Sequence, residues 1–172
     1  MTRLLMMAVL LVGGSAYAAD LATADRDFYA KAAAGGIAEV QTGALAQVKG
    51  NSAAVRDFGE MMVRDHTKAN GKLKQIASRK NIELPTEPDA NHKARKQELE
   101  AVSGAAFDSA YMQAQVAEHE ATESLLKRQI ESGADADAKA WAHESRPTVT
   151  AHLQRARALA TGATASDAGQ HR

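Results

Sequence analysis

A chain of 172 residues with no cysteine, three prolines, and 21 basic against 21 acidic residues describes one small soluble domain. The missing cysteines exclude disulfides, thiolate metal sites and thiol nucleophiles. A net charge of zero argues against nucleic acid or an anionic membrane as the principal partner.

Residues 1–18 are expected to be a secretory signal peptide. Arg3 provides a minimal positive start, Leu4 to Val12 an apolar run, and Ala16-Tyr17-Ala18 a small-residue cleavage site before Ala19. The run is too short to span a bilayer. No later stretch is apolar enough to cross one, so the expected product is exported and, in a bacterium with two membranes, periplasmic. The mature domain is expected over 19–162, and the small, polar residues 163–172 as a disordered tail.

Alanine supplies 38 residues, which favours helix because alanine loses no side-chain entropy there. Breakers bound four long predicted helices. The first runs from about Ala24 to Lys49, capped by Thr23 and ended by Gly50-Asn51. Ser52 caps a second that reaches about Lys80. A third runs from about Ala105 to Ser132, stopped by Gly133. Asp135 caps the fourth, which ends near Thr161. Val55, Phe58, Met62, Ala69, Leu73 and Ile76 form an apolar stripe on the second helix. Similar stripes carry Met112, Val116, Leu126 and Ile130 on the third, and Trp141, Val149, Ala156 and Leu159 on the fourth. No strand-like alternation competes, so the fold class is all-α.

The second and third long helices are joined by a long connection marked by Pro85 and Pro88. It contains a short polar helix over Ala90 to Val102 and breaks again at Ser103-Gly104. Such a connection can carry the chain along the whole length of a bundle, whereas the two short connections impose antiparallel neighbours. The pattern is that of a ferritin-like four-helix bundle, with an up-down-up-down bundle and an ornamented loop as the alternative.

His66, His119 and His152 sit within the apolar stripes, where a buried imidazole has a donor and an acceptor to satisfy. Glu39, His66, His119 and His152 all fall within about four residues of mid-helix, roughly 6 Å at 1.5 Å per residue. One side chain from each long helix can therefore converge at the bundle centre. Three imidazoles and a carboxylate suit zinc, iron, manganese or copper. Glu123, one turn beyond His119, is a further ligand or an acceptor behind the ligands. The competing reading makes the same histidines core hydrogen-bonders. Asp65, Glu118 and Glu120 adjoin the histidines in sequence but are expected to face solvent. Trp141 reads as a packing anchor, Tyr111 and Phe107 as core, and Pro147 as a bend in the fourth helix. His92, His143 and His171 show no evident chemistry. Phosphate-binding glycine loops, nucleophile elbows and H-E-x-x-H motifs are absent.

A series of residues extends this reading. Phe28, Ala32, Gly36 and Glu39 are followed by Met62-Val63-Arg64-Asp65-His66-Thr67-Lys68-Ala69-Asn70. Gly104, Phe107-Asp108, Tyr111, His119, Pro147 and His152 continue it. Over about residues 25–160 the chain resembles the exported bacterial domain-of-unknown-function family 4142. The resemblance implies a ferritin-like fold and no established activity. Di-iron ferritin-like proteins carry Glu-x-x-His on two helices. Here the residues three before the histidines are Val63, Val116 and Val149, so ferroxidase and oxygenase chemistry is not supported. Two functions follow from the residues. One is a non-enzymatic periplasmic bundle holding one transition-metal ion. The other is a structural or partner-binding module acting in envelope stress, its protein partner unknown. An enzyme using a bound metal as Lewis acid is a third possibility.

Overall fold

The computed structural model describes residues 21–162; the segments read as signal peptide and tail lie outside the described residues. Five helices follow in order: α1 (Thr23–Lys49), α2 (Ala53–Arg79), α3 (Ala90–Glu100), α4 (Gly104–Ser132) and α5 (Ala136–Ala160). The described residues contain no strand, so the chain is all-α. The third and fourth long helices of the sequence reading are α4 and α5, and α3 is the short polar helix within the long connection. No helix among the described residues is long and apolar enough to cross a membrane.

Local chemistry sets most of these boundaries. Ser52 accepts from Val55 N at 3.3 Å, Asp89 from His92 N at 3.0 Å and Asp135 from Ala138 N at 2.8 Å, each satisfying a first-turn donor. Thr23 does not cap α1. It is the first helical residue, and the cap position is Ala22, whose carbonyl accepts from Asp25 N and Arg26 N.

Two apolar clusters reveal the helix directions. At one end, Phe28 and Tyr29 of early α1 meet Leu73 of late α2, Leu126 of late α4 and Trp141 of early α5. At the other, Ala46 of late α1 meets Phe58 of early α2, Phe107 of early α4 and Ala156 of late α5. Thus α1 and α5 run one way, and α2 and α4 run the other. The connection between α2 and α4 travels the length of the molecule: Ile82 and Leu84 pack on the first cluster, Leu99 and Val102 on the second.

Carboxylates fasten the two short turns. Asp25 is buried and accepts from Gln129 Nε2 at 2.7 Å and from the backbone N–H groups of Ala134 and Asp135. At the opposite end Asp108 accepts from the N–H groups of Asn51 and Ser52, both at 2.8 Å. Tyr29 OH donates to Asp135, which also takes an ion pair from Lys80. Trp141 packs edge-on against Phe28 and donates its indole N–H to the Ala69 carbonyl at 3.3 Å, as its reading as an anchor anticipated.

Helices α1 and α2 come into close backbone contact at Gly43 and Gly59. A Cβ on Gly59 would stand 2.6 Å from the Gly43 carbonyl oxygen and 2.9 Å from Ala46 Cβ, and neither obstacle is a flexible chain end. Gly71, in the same helix, has open space around it. Gly59→Ala is therefore expected to destabilise the protein by about 1–3 kcal/mol through overpacking. Gly71→Ala should stabilise it by about 0.5–1 kcal/mol through helix propensity. Urea unfolding of the two variants checks both signs.

Candidate functional site: three converging imidazoles

Antiparallel pairing of α1 with α2 and of α4 with α5 brings three mid-helix histidines together. His66 comes from α2, His119 from α4 and His152 from α5. Their ring centroids form a nearly equilateral triangle with sides of 5.8, 5.6 and 5.4 Å. One nitrogen from each ring lies within 4.8 Å of the other two. His119 and His152 are only 1% and 3% exposed, so their nitrogens depend on protein partners.

Those partners fix the protons. His119 Nδ1 lies 2.9 Å from the Gln115 carbonyl oxygen, which can only accept, so Nδ1 carries the hydrogen. His152 Nε2 lies 3.0 Å from the Asp65 carboxylate, so the hydrogen of the neutral ring is there. Both inward nitrogens, His119 Nε2 and His152 Nδ1, are then bare, and they face each other at 3.4 Å. His66 Nε2 is buried without a partner among the described residues. The centre of the triangle is rich in lone pairs and poor in donors.

A proton is a poor remedy for this arrangement. Burial, reinforced by the neighbouring His119 and His152, pushes His66 down to about 3. Burial also lowers His152, although its hydrogen bond to Asp65 pulls the other way. Burial raises the Asp65 carboxyl, but hydrogen bonds from Arg64 and His152 outweigh that and hold it below the usual range. Asp65 therefore stays an anion behind a neutral imidazole.

The two glutamates of the sequence reading lie outside the trio. Glu39 is 8% exposed and accepts from Gln115 Nε2 at 2.8 Å. Its other oxygen is 4.0 Å from His119 Nδ1, the nitrogen already committed to the Gln115 carbonyl. Glu39 thus sits behind His119, and burial raises its pKa. Glu123 is half-buried and accepts from Thr150 Oγ1 at 2.5 Å.

Asp65 and Glu118 correct the expectation that both merely face solvent. Asp65 reaches across to the histidine of α5, and Glu118 Oε2 lies 3.3 Å from His92 Nε2, tying α3 to α4. That contact is the main reason His92 is raised to about 9. Glu120, by contrast, makes an exposed ion pair with Arg157. The role of Gln115 had no signal of its own in the sequence, because its acceptor is a backbone carbonyl and one stands four residues before every helical histidine. Asp65 had none either, because its partner lies on another helix.

A cleft of about 230 Å³ opens onto this centre, with His66 and His152 in its lining. The helices thus converge three imidazoles, two of which, His119 and His152, are backed from outside by the Gln115 carbonyl and by Asp65. This chain belongs to the family described as a domain of unknown function (DUF4142), whose model matches residues 11–159. No curated protein and no solved structure shows significant similarity to it.

The proton arrangement predicts a pH dependence. The unfolded chain takes up protons on His66 and His152 near pH 6.5, and the folded chain only below that, His66 well below it. Stability must therefore fall as pH drops below about 6.5, the His66 part continuing towards about 3. Glu39 opposes this limb: its raised folded pKa makes the folded chain hold the extra proton, so its contribution declines as pH rises. His92 acts elsewhere, giving stability that is complete below about 6.5 and lost as pH rises through about 9. Urea unfolding of chelator-treated Glu39→Gln protein between about pH 7 and pH 5 reads the acid limb with the Glu39 contribution removed. Adding His66→Gln should flatten that slope, and an unaltered slope would contradict the assignment.

Proposed function

We propose that the protein is an exported, periplasmic, non-enzymatic protein of ferritin-like four-helix-bundle architecture that holds one transition-metal ion on His66, His119 and His152. One observation carries this reading: two bare imidazole nitrogens face each other at 3.4 Å while their outer nitrogens are tied to Gln115 and Asp65. Two nitrogens bound at 2.0–2.1 Å to a tetrahedral ion stand about 3.3 Å apart, so this pair already has ligand spacing. The widest separation within the trio, up to 4.8 Å, would have to shorten by about 1.5 Å to reach the same spacing. Asp65 behind His152 and the Gln115 carbonyl behind His119 supply the outer hydrogen bonds that metal-binding histidines carry elsewhere.

Imidazole donors favour zinc, copper, iron or manganese over magnesium or calcium. Glu39 takes the place of an outer carboxylate rather than a ligand, and Glu123 remains a reserve donor one turn from His119. The absence of Glu-x-x-His on any of the three helices speaks for a mononuclear centre. The parallel course of α2 and α4 supports the ferritin-like architecture. The apolar run and small-residue site within residues 1–18 support export.

A specific observation also favours the second reading, a structural or partner-binding module in envelope stress. The outer nitrogens of His119 and His152 are hydrogen-bonded as in any well-formed core. The inner nitrogens are what that reading leaves unexplained. Metal analysis of untagged mature protein, refilled in turn with zinc, copper, iron and manganese, separates the two. One equivalent of at least one metal is expected, lost on replacing any of the three histidines by glutamine. Asp65→Asn should retain the site with metal affinity about 10- to 100-fold weaker. Sub-stoichiometric metal after every refilling overturns the metal reading, and histidine variants that alter stability alone establish the structural one.

A further inference from the structure

Resting on the metal reading above, we infer that the three-histidine centre is an open site whose remaining coordination position takes a small anion entering through the cleft. Three protein donors leave at least one position for an outside ligand, which is what separates open metal sites from closed structural ones. The cleft supplies the approach. His66 and His152 line it while His119 does not, so the exposed side of the trio faces the cleft and His119 forms its back.

The charges around the cleft select the ligand. Its carboxylates are already engaged: Asp65 by Arg64 and His152, Glu118 by His92, and Glu144 by Lys72. Glu39, the fourth, is buried and held by Gln115. Two cations of the lining, Lys31 on α1 and Lys68 on α2, are exposed and make no ion pair within 4 Å among the described residues. Lys68 has only a longer-range interaction with Glu144. The unpaired charge at the solvent-exposed edge of the cleft is therefore positive, and it raises the local concentration of anions there. The cleft, at about 230 Å³, has room for an inorganic anion or a short carboxylate.

The test uses untagged mature protein loaded with cobalt(II), whose visible spectrum reports on its ligands, titrated separately with azide and with formate. Both anions are expected to change the spectrum saturably and to compete with each other. Lys31→Gln/Lys68→Gln should weaken both by about threefold to tenfold while leaving the cobalt content at one equivalent. Lys74→Gln, an exposed lysine outside the cleft, should change neither quantity. Cobalt bound at one equivalent with a spectrum indifferent to both anions would overturn the open site and leave the metal reading standing. Anion affinity unchanged in the double variant would overturn the role of the cleft. Failure to bind cobalt at all would overturn the metal reading and this inference with it.

Discussion

Gln115 and Asp65 decide which nitrogen of two buried imidazoles carries its proton, and the character of the centre follows from that choice. A buried neutral histidine has one donor and one acceptor nitrogen, and the donor is drawn to whatever acceptor is available. Both acceptors here lie outside the triangle, one a backbone carbonyl of α4 and the other a carboxylate of α2. The lone pairs are consequently left inside. Were the protons of His119 and His152 on the inner nitrogens instead, two N–H groups would face each other and the centre would present donors rather than lone pairs.

That outcome requires the helices to keep a fixed register, since a shift of one residue swings a side chain by about 100° around its axis. The register is held away from the site. Asp25 fastens the α4–α5 turn to α1, and Asp108 fastens the α1–α2 turn to α4, so each turn is tied to the opposite hairpin. Gly43 and Gly59 bring α1 and α2 into backbone contact between these fastenings. Charged hydrogen bonds to turn amides are among the stronger ones a protein makes, and both ends of the molecule use them.

What could be read in the sequence was what depends on position along a helix. Gly50, Gly133 and Ser103-Gly104 punctuate the chain clearly, so the long helices, their midpoints and the common height of His66, His119 and His152 were legible. What depends on angle between helices was not. Glu39 has the right height, but its carboxyl lies behind His119 rather than at the centre. Asp65 was assigned to solvent by its place beside His66, yet its side chain serves a histidine on α5. The length of the polar connection pointed to a run along the bundle but left the up-down-up-down alternative open. The course of α4 became legible only from Ile82 and Leu99 lying in opposite clusters.

The alanine and glycine content, which looks at first like simple helix propensity, also shapes the centre. Helix α1 contributes no histidine, and its cleft-lining positions include Ala32, Gly35 and Gly36. At Gly36 a Cβ would stand 2.0 Å from Asn70 Oδ1, so the missing side chain lets the residue four beyond His66 pack against α1. At Gly35 the nearest obstacle to a Cβ is His92 Nε2 at 3.9 Å, which shows how near α3 comes to the same wall. A side chain at Gly36 would push Asn70, itself part of the cleft wall, away from α1, and larger residues at Ala32 and Gly35 would narrow the cleft that opens onto His66 and His152. Small side chains on α1 thus help to keep that cleft open.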